Sequence, residues 1–211
     1  MQISEIFYSI QGEIDVGKPV IFIRFSGCNL IRLGKGCKFC DSIYAEQGIE
    51  MTNEEILDEI KKYPCKNVVI TGGEPLLQKD KLIKLFDLLE NRNYNIDIET
   101  NGTLFDFNLL WNFSYINCSP KKQAIDIDVL KKMSNMNARF KFVYESKDEC
   151  WWEKIIEKLN IDKERVWIMS EGKTRKEQLQ KSEEVIKYCK EKGYNFTPRL
   201  HTLIWDNRRA K

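Results

Sequence analysis

Apolar runs of strand length alternate with amphipathic stretches along most of the chain. The runs at 3–8, 20–25, 67–71, 94–99, 114–118, 138–144 and 165–169, and a short one at 194–197, are rich in Val, Ile, Phe and Tyr, the residues strands favour. Between them, apolar residues recur at helical spacing over 52–62, 79–91, 106–112, 126–133, 147–160 and 174–192. Leu82, Leu85, Phe86 and Leu89 make one such stripe, and core packing explains it. Thr52 and Glu55 are spaced as a capping box ahead of Ile56, Leu57 and Ile60. Repeated strand–helix units predict an α/β fold with a mainly parallel sheet. About six units are too few for a closed eight-stranded barrel of ~250 residues. The pattern therefore predicts a partial, open (β/α)6 barrel in a single domain over 1–211, with 205–211 as a basic tail that frays.

Ligands in α/β sheets gather at the carboxyl ends of strands. Non-helical motifs should then follow the strands, and they do. A cysteine segment follows 20–25, and Thr71-Gly72-Gly73-Glu74-Pro75 follows the next run. Glu99-Thr100-Asn101-Gly102-Thr103, Ser119-Pro120-Lys121 and Ser170-Glu171-Gly172 follow three others. Five such loops on one rim predict one large pocket.

Composition narrows the class. Apolar content is 42% and charged content 31%, the balance of a soluble globular chain. The net charge of +2, from 34 basic and 32 acidic residues, gives no electrostatic case for a nucleic-acid or membrane partner. No stretch has the apolar length of a membrane span. The start, Met1-Gln2-Ile3-Ser4-Glu5, lacks the basic-then-apolar pattern of a signal peptide. These features predict a cytoplasmic protein whose 7 cysteines are thiols or metal ligands. An odd number also rules out a fully paired disulfide framework within one chain.

Cys28, Cys37 and Cys40 read C-x8-C-x2-C. Three thiolates close together on one loop can hold a metal or a cluster. Structural zinc wants a fourth ligand. Cys65, Cys118, Cys150 and Cys189 are isolated, and the sole histidine, His201, lies far along the chain. In a [4Fe–4S] cluster, three thiolates leave one iron open for another ligand. Lys35 and Lys38 favour thiolate formation nearby. The cysteine pattern alone leaves zinc and plain buried thiols as alternatives.

These cysteines, with Gly-Gly-Glu-Pro after the next strand, resemble the radical S-adenosylmethionine superfamily. Its usual spacing is C-x3-C-x2-C, so this chain has five extra residues between the first two cysteines. Within the superfamily, the chain is similar to the 7-carboxy-7-deazaguanine synthase family. That resemblance rests on Glu5 to Glu13 (EIFYSIQGE), Phe22 to Asn29 (FIRFSGCN), Cys40-Asp41-Ser42, the 71–75 and 99–103 motifs, Ser119-Pro120-Lys121, and Arg199 to Trp205 (RLHTLIW). It implies contraction of 6-carboxy-5,6,7,8-tetrahydropterin to 7-carboxy-7-deazaguanine with loss of ammonia, toward queuosine or archaeosine in tRNA. It also implies one [4Fe–4S] cluster, S-adenosylmethionine regenerated each turnover, Mg²⁺, an electron donor such as flavodoxin or ferredoxin, and a homodimer.

The resemblance assigns roles residue by residue. Cys28, Cys37 and Cys40 hold the cluster, whose open iron takes the amino and carboxylate groups of the methionine moiety. Phe39, Asp41, Gly72, Gly73, Glu74, Glu99, Asn101, Ser119, Pro120, Lys121, Met169 and Glu171 are its S-adenosylmethionine positions, with the Glu74 carboxylate as acceptor for the ammonium. Ile10, Gln11, Gly12, Glu13, Arg24, Thr71 and His201 are its substrate positions, and Ser42 its Mg²⁺ position. Glu13 suits the guanidine-like edge of a pterin and Arg24 its carboxylate. Each assignment has a plainer counterpart. Gly-Gly-x-Pro, Asn-Gly and Ser-Pro are turn signals, Asp-Ser is a helix cap, and an Arg inside the apolar run 20–25 can be a structural ion pair. A lone His is commonly structural, and the four remaining cysteines read as small apolar residues. Two rivals stand beside the synthase: a glycyl-radical activase of the same superfamily, and a non-catalytic zinc module.

Overall fold

The computed structural model describes residues 1–37, 40, 45, 47–206 and 208. Its centre is a nine-stranded sheet in the order β3-β1-β2-β4-β5-β6-β7-β8-β9. The strands are β1 (Gln2–Ile10), β2 (Pro19–Phe25), β3 (Ile49–Glu50), β4 (Asn67–Gly72), β5 (Asn95–Thr100), β6 (Tyr115–Cys118), β7 (Ala138–Tyr144), β8 (Val166–Ser170) and β9 (Asn195–Thr197). From β2 through β9 every neighbouring pair is parallel. β1 is antiparallel to both β2 and β3. The helices are α1 (Asn29–Arg32), α2 (Asn53–Ile60), α3 (Lys79–Glu90), α4 (Phe107–Leu110), α5 (Ile127–Ser134), α6 (Trp152–Leu159), α7 (Arg175–Lys192) and α8 (Leu200–Trp205). β3 and β9 end the order without pairing to each other, so the sheet is an open, partial barrel. Six parallel strands of four or more residues match the expected repeat, and the short β9 adds a seventh.

Successive strand residues point to opposite faces, and here the two faces differ in chemistry. Ile21, Ile23 and Phe25 of β2, Val68 and Ile70 of β4, Ile96 and Ile98 of β5, and Phe140, Phe142 and Tyr144 of β7 join the main apolar core. That core continues into Leu82, Leu85, Phe86 and Leu89 of α3 and Trp152, Ile155 and Ile156 of α6. The alternate positions, Arg24, Thr71, Glu99, Asn117, Lys141 and Met169, line a cavity. A small second cluster, Val20, Phe22 and Val69 with Phe7, packs apart from the main core.

The capping box at Thr52 forms, with Glu55 N donating to Thr52 Oγ1 at 3.2 Å and Thr52 N to Glu55 Oε2 at 2.7 Å. Four elements depart from the expected pattern. The helical stretch 147–160 is a 3-10 turn at Lys147–Glu149 followed by α6. The four-residue α1 and two-residue β3 have no periodicity of their own to read. α8 occupies 200–205, where only a family motif stood out. Among the described residues, no helix is long and apolar enough to cross a membrane.

Candidate active site

The inner face of the barrel encloses a cavity of about 1190 Å³. Every described candidate residue except Glu74 lines it. Phe39, Asp41 and Ser42 lie outside the described residues. At the carboxyl ends of the strands stand the half-buried thiols of Cys28, Cys37 and Cys40. Cys28 caps α1, and Cys40 N donates to Cys37 O at 3.2 Å. Gln123 Nε2 holds this loop through Lys35 O at 3.0 Å and approaches Cys37 Sγ at 4.0 Å. Of the other four thiols, Cys118 and Cys189 are buried, and Cys65 and Cys150 pack half-buried on the core. Burial pushes the Cys118 and Cys189 thiols up, which keeps them protonated and inert.

Gly72 and Gly73 bring their loop against the cysteine loop. Gly73 N donates to Phe25 O at 3.1 Å and Glu74 N to Gly27 O at 2.9 Å. A Cβ on Gly73 would lie 2.2 Å from Gly27 O, and one on Gly72, at φ +143°, 2.1 Å from Phe25 O. The motif therefore fixes where Cys28 starts its loop.

Glu74 points the other way from the sequence-based expectation. Its carboxylate is fully buried and accepts from Asn101 N at 2.7 Å, Leu76 N at 3.1 Å and Thr100 Oγ1 at 3.0 Å. Those bonds tie the 99–103 loop to the Gly-Gly loop, so this carboxylate positions two rim loops rather than facing the cavity. Burial pushes its carboxyl up to about 7, against the pull of the three donors and Lys121.

Asn101 combines both readings given to it. It faces the cavity, yet its Oδ1 accepts from Thr103 N at 3.0 Å as in an Asx turn, and its Nδ2 donates to Asn29 Oδ1 at 2.9 Å, beside Cys28. Thr71 Oγ1 donates to Glu99 Oε2 at 2.7 Å, and Lys121 Nζ to Ser119 Oγ at 2.7 Å. Glu171 is ion-paired with Lys181, and Met169 is buried on the cavity wall.

Residues 11–18 connect β1 to β2, and Gln11, Gly12 and Glu13 among them line the same cavity. Gln11 is buried, and its Oε1 accepts from Gly12 N at 3.0 Å. Glu13 pairs with Lys141 and lies 3.5 Å from Arg199 Nε. Arg24 Nε donates to Glu5 Oε1 at 2.8 Å, with the guanidinium 5.7 Å from the centre of the Phe7 ring. His201 packs on Gly12, where a Cβ would lie 2.0 Å from Nδ1. Thiols and a group of paired acids and bases thus line one cavity.

Residues 22–146 match the family model of the radical SAM superfamily. The 7-carboxy-7-deazaguanine synthase of Bacteroides thetaiotaomicron is 42% identical over 153 residues, 72% of this chain and 75% of that protein. The 7-carboxy-7-deazaguanine synthase of Hyperthermus butylicus is 34% identical over 223 residues, 97% of this chain and 92% of that protein. The chain belongs to the 7-carboxy-7-deazaguanine synthase family of radical SAM enzymes. Solved structures agree in fold. QueE from Escherichia coli has a TM-score of 0.74 at 24% identity, covering 95% of this chain and 94% of that one. Streptococcus suis SuiB, bound to S-adenosylmethionine, has 0.56 at 17%, covering 86% and 50%.

Membership in the 7-carboxy-7-deazaguanine synthases sets aside the activase and the zinc module. Among the described residues, no group of three or more His, Cys, Asp or Glu is gathered to hold a single ion. A [4Fe–4S] cluster is held differently, each thiolate on its own iron. Three half-buried thiols lining one cavity fit that donor set. Sequence reading missed Asn117, Lys141 and Arg199 in this synthase cavity, and Arg139 behind it. For Lys141 a signal was present. It stands between Phe140 and Phe142, as Arg24 stands between Ile23 and Phe25, and a charge in an apolar strand needs a partner.

Proposed function

We propose that the chain converts 6-carboxy-5,6,7,8-tetrahydropterin to 7-carboxy-7-deazaguanine, releasing ammonia. The observation that carries this reading is one cavity lined both by Cys28, Cys37 and Cys40 and by Gln11, Glu13, Arg24 and His201. Cys28, Cys37 and Cys40 would hold the cluster. When bound, the cluster and S-adenosylmethionine supply a 5′-deoxyadenosyl radical that takes hydrogen from the substrate. The protein's part is to orient and shield. Glu13, a carboxylate between cations, accepts from the amide and amino edge of the pterin. Arg24, aligned by Glu5, presents its guanidinium to the substrate carboxylate. Thr71 and Glu99, joined by a hydrogen bond, line the wall of that cavity. Glu99, Asn101, Ser119, Lys121, Met169 and Glu171 offer polar and apolar contacts to the nucleoside and methionine parts of S-adenosylmethionine.

The same reading places Mg²⁺ at Ser42, where a hard cation finds an oxygen ligand. It includes an electron donor of the flavodoxin or ferredoxin type, a homodimer and a cytoplasmic setting. The test is Cys37→Ala, purified and reconstituted without oxygen. The variant should bind less iron than wild type and form no deazaguanine. Wild-type iron loading with wild-type turnover would overturn the reading.

A further inference from the structure

Glu13 sits on a connection, residues 11–18, whose base is closed by its own backbone, Gln11 N donating to Lys18 O at 2.7 Å and Gly17 N to Gln11 O at 2.8 Å. The acidic side chains it carries are held from outside by two cations on the inner face of β7. Lys141 Nζ contacts Glu13 Oε2, and two residues earlier Arg139 Nη1 lies 2.9 Å from Asp15 Oδ2. Residues two apart in a strand share a face, so β7 offers a pair of cations to a pair of carboxylates. Arg139 is itself fixed, with Nε donating to Asn117 Oδ1 at 2.9 Å and the guanidinium 3.9 Å from the centre of the Tyr115 ring. From the other side, Leu200 N donates to Gly12 O at 2.7 Å and Arg199 Nε stands 3.5 Å from Glu13 Oε1. Arg199 Nη1 is held by Gly172 O at 2.9 Å.

We propose that Lys141 is a positioning residue that, with Arg199, locks Glu13 in place as a charged acceptor for the substrate's amide and amino edge, while Arg139 on Asp15 pins the same loop. The identity of the ligand rests on the functional reading above; the clamp rests on this geometry. A carboxylate has about four lone-pair sites. Lys141 and Arg199 approach different oxygens, so each oxygen keeps room for another donor, as two parallel N–H groups require. Burial pushes the Glu13 carboxyl up, but Lys141 first, then Arg199 and His201, outweigh it and hold it at about 2. Lys141 itself is nine-tenths buried, and an ion pair offsets its desolvation.

The test compares Lys141→Met, Lys141→Gln and Lys141→Arg in the anaerobic holoenzyme with S-adenosylmethionine and no reductant. Calorimetric binding of 6-carboxy-5,6,7,8-tetrahydropterin is measured from about pH 5 to about pH 8. Wild-type affinity should show no acid limb from Glu13, which stays ionised throughout. Lys141→Met should bind about 30-fold more weakly or worse, with affinity fading as pH falls, because a less compensated buried carboxyl takes up a proton. Lys141→Arg should restore the wild-type profile, and S-adenosylmethionine affinity should hold in all three. Hydrogen exchange across 11–18 should speed up in Lys141→Met and not in Lys141→Arg. Lys141→Gln keeps a donor without the charge and carries the same pH test if the Met variant does not fold. Wild-type affinity and profile in the Met or Gln variant would overturn the proposal, as would equal impairment of Met and Arg. Failure of the wild type to bind the pterin would sink the functional reading instead. The exchange measurement then still decides the clamp, which unchanged exchange in Lys141→Met would end.

Discussion

In β7, Phe140, Phe142 and Tyr144 face the helices, while Arg139, Lys141 and Val143 face inward. The same division runs through β2, where Ile21, Ile23 and Phe25 oppose Arg24, and through β5, where Ile96 and Ile98 oppose Asp97 and Glu99. One face buries apolar area against α-helices, the dominant favourable term in folding. The other spends part of that stability on buried polar groups. Their partners come from other strands or from the β1–β2 connection: Thr71 with Glu99, Arg139 with Asn117, Lys141 with Glu13. A period of two lets one strand serve both tasks, so substitutions a single residue apart should have different kinds of effect.

The largest stability effect should come from the helix-facing side. Trp152 is wholly buried, with its ring 5.7 Å from that of Phe142. Trp152→Ala should cost about 3–5 kcal/mol in urea unfolding. A change below about 1 kcal/mol would contradict the division of labour. Next comes Glu74, which joins the two rim loops. Its carboxyl is raised from 4.5 to about 7 in the folded chain, so the folded state holds a proton the unfolded state releases. Stability attributable to Glu74 is present below the unfolded value and is lost as pH rises through about 7. The loss should be on the order of 3 kcal/mol. Urea titrations across that range should show the decline in wild type and its absence in Glu74→Gln. A slope shared by both would refute the assignment.

Thr71→Val tests the inner face. It removes the 2.7 Å bond to Glu99 while keeping the shape. Stability should fall by about 1 kcal/mol, whereas KM for the pterin should rise. An effect on stability alone would place Thr71 with the scaffold. The smallest effect belongs to neither face. Lys62, just past α2, pairs with Glu59 at the surface, and Lys62→Ala should leave melting temperature and turnover unchanged.

Local patterns made the frame legible. Apolar runs gave the strands, capping and spacing gave α2 and α3, and motifs after each strand placed the rim loops. Cys28, Gly72, Glu99 and Lys121 stood out because they sit in short sequence signatures, and all four line the cavity. The direction of Glu74 was not readable, since its partners Thr100 and Asn101 lie on a different strand end. Arg139 and Arg199 were missed for the same reason: what makes them functional is a carboxylate more than a hundred residues away in sequence. Lys141 was within reach, because the argument applied to Arg24 holds equally for Phe140-Lys141-Phe142. α1 and β3 are set by tertiary contacts too short to leave a period.

The decisive measurement is product analysis of the reduced wild-type holoenzyme supplied with S-adenosylmethionine and 6-carboxy-5,6,7,8-tetrahydropterin. The account predicts 7-carboxy-7-deazaguanine and ammonia in equal amounts, with S-adenosylmethionine recovered. Accumulation of 5′-deoxyadenosine while the pterin stays intact would contradict it.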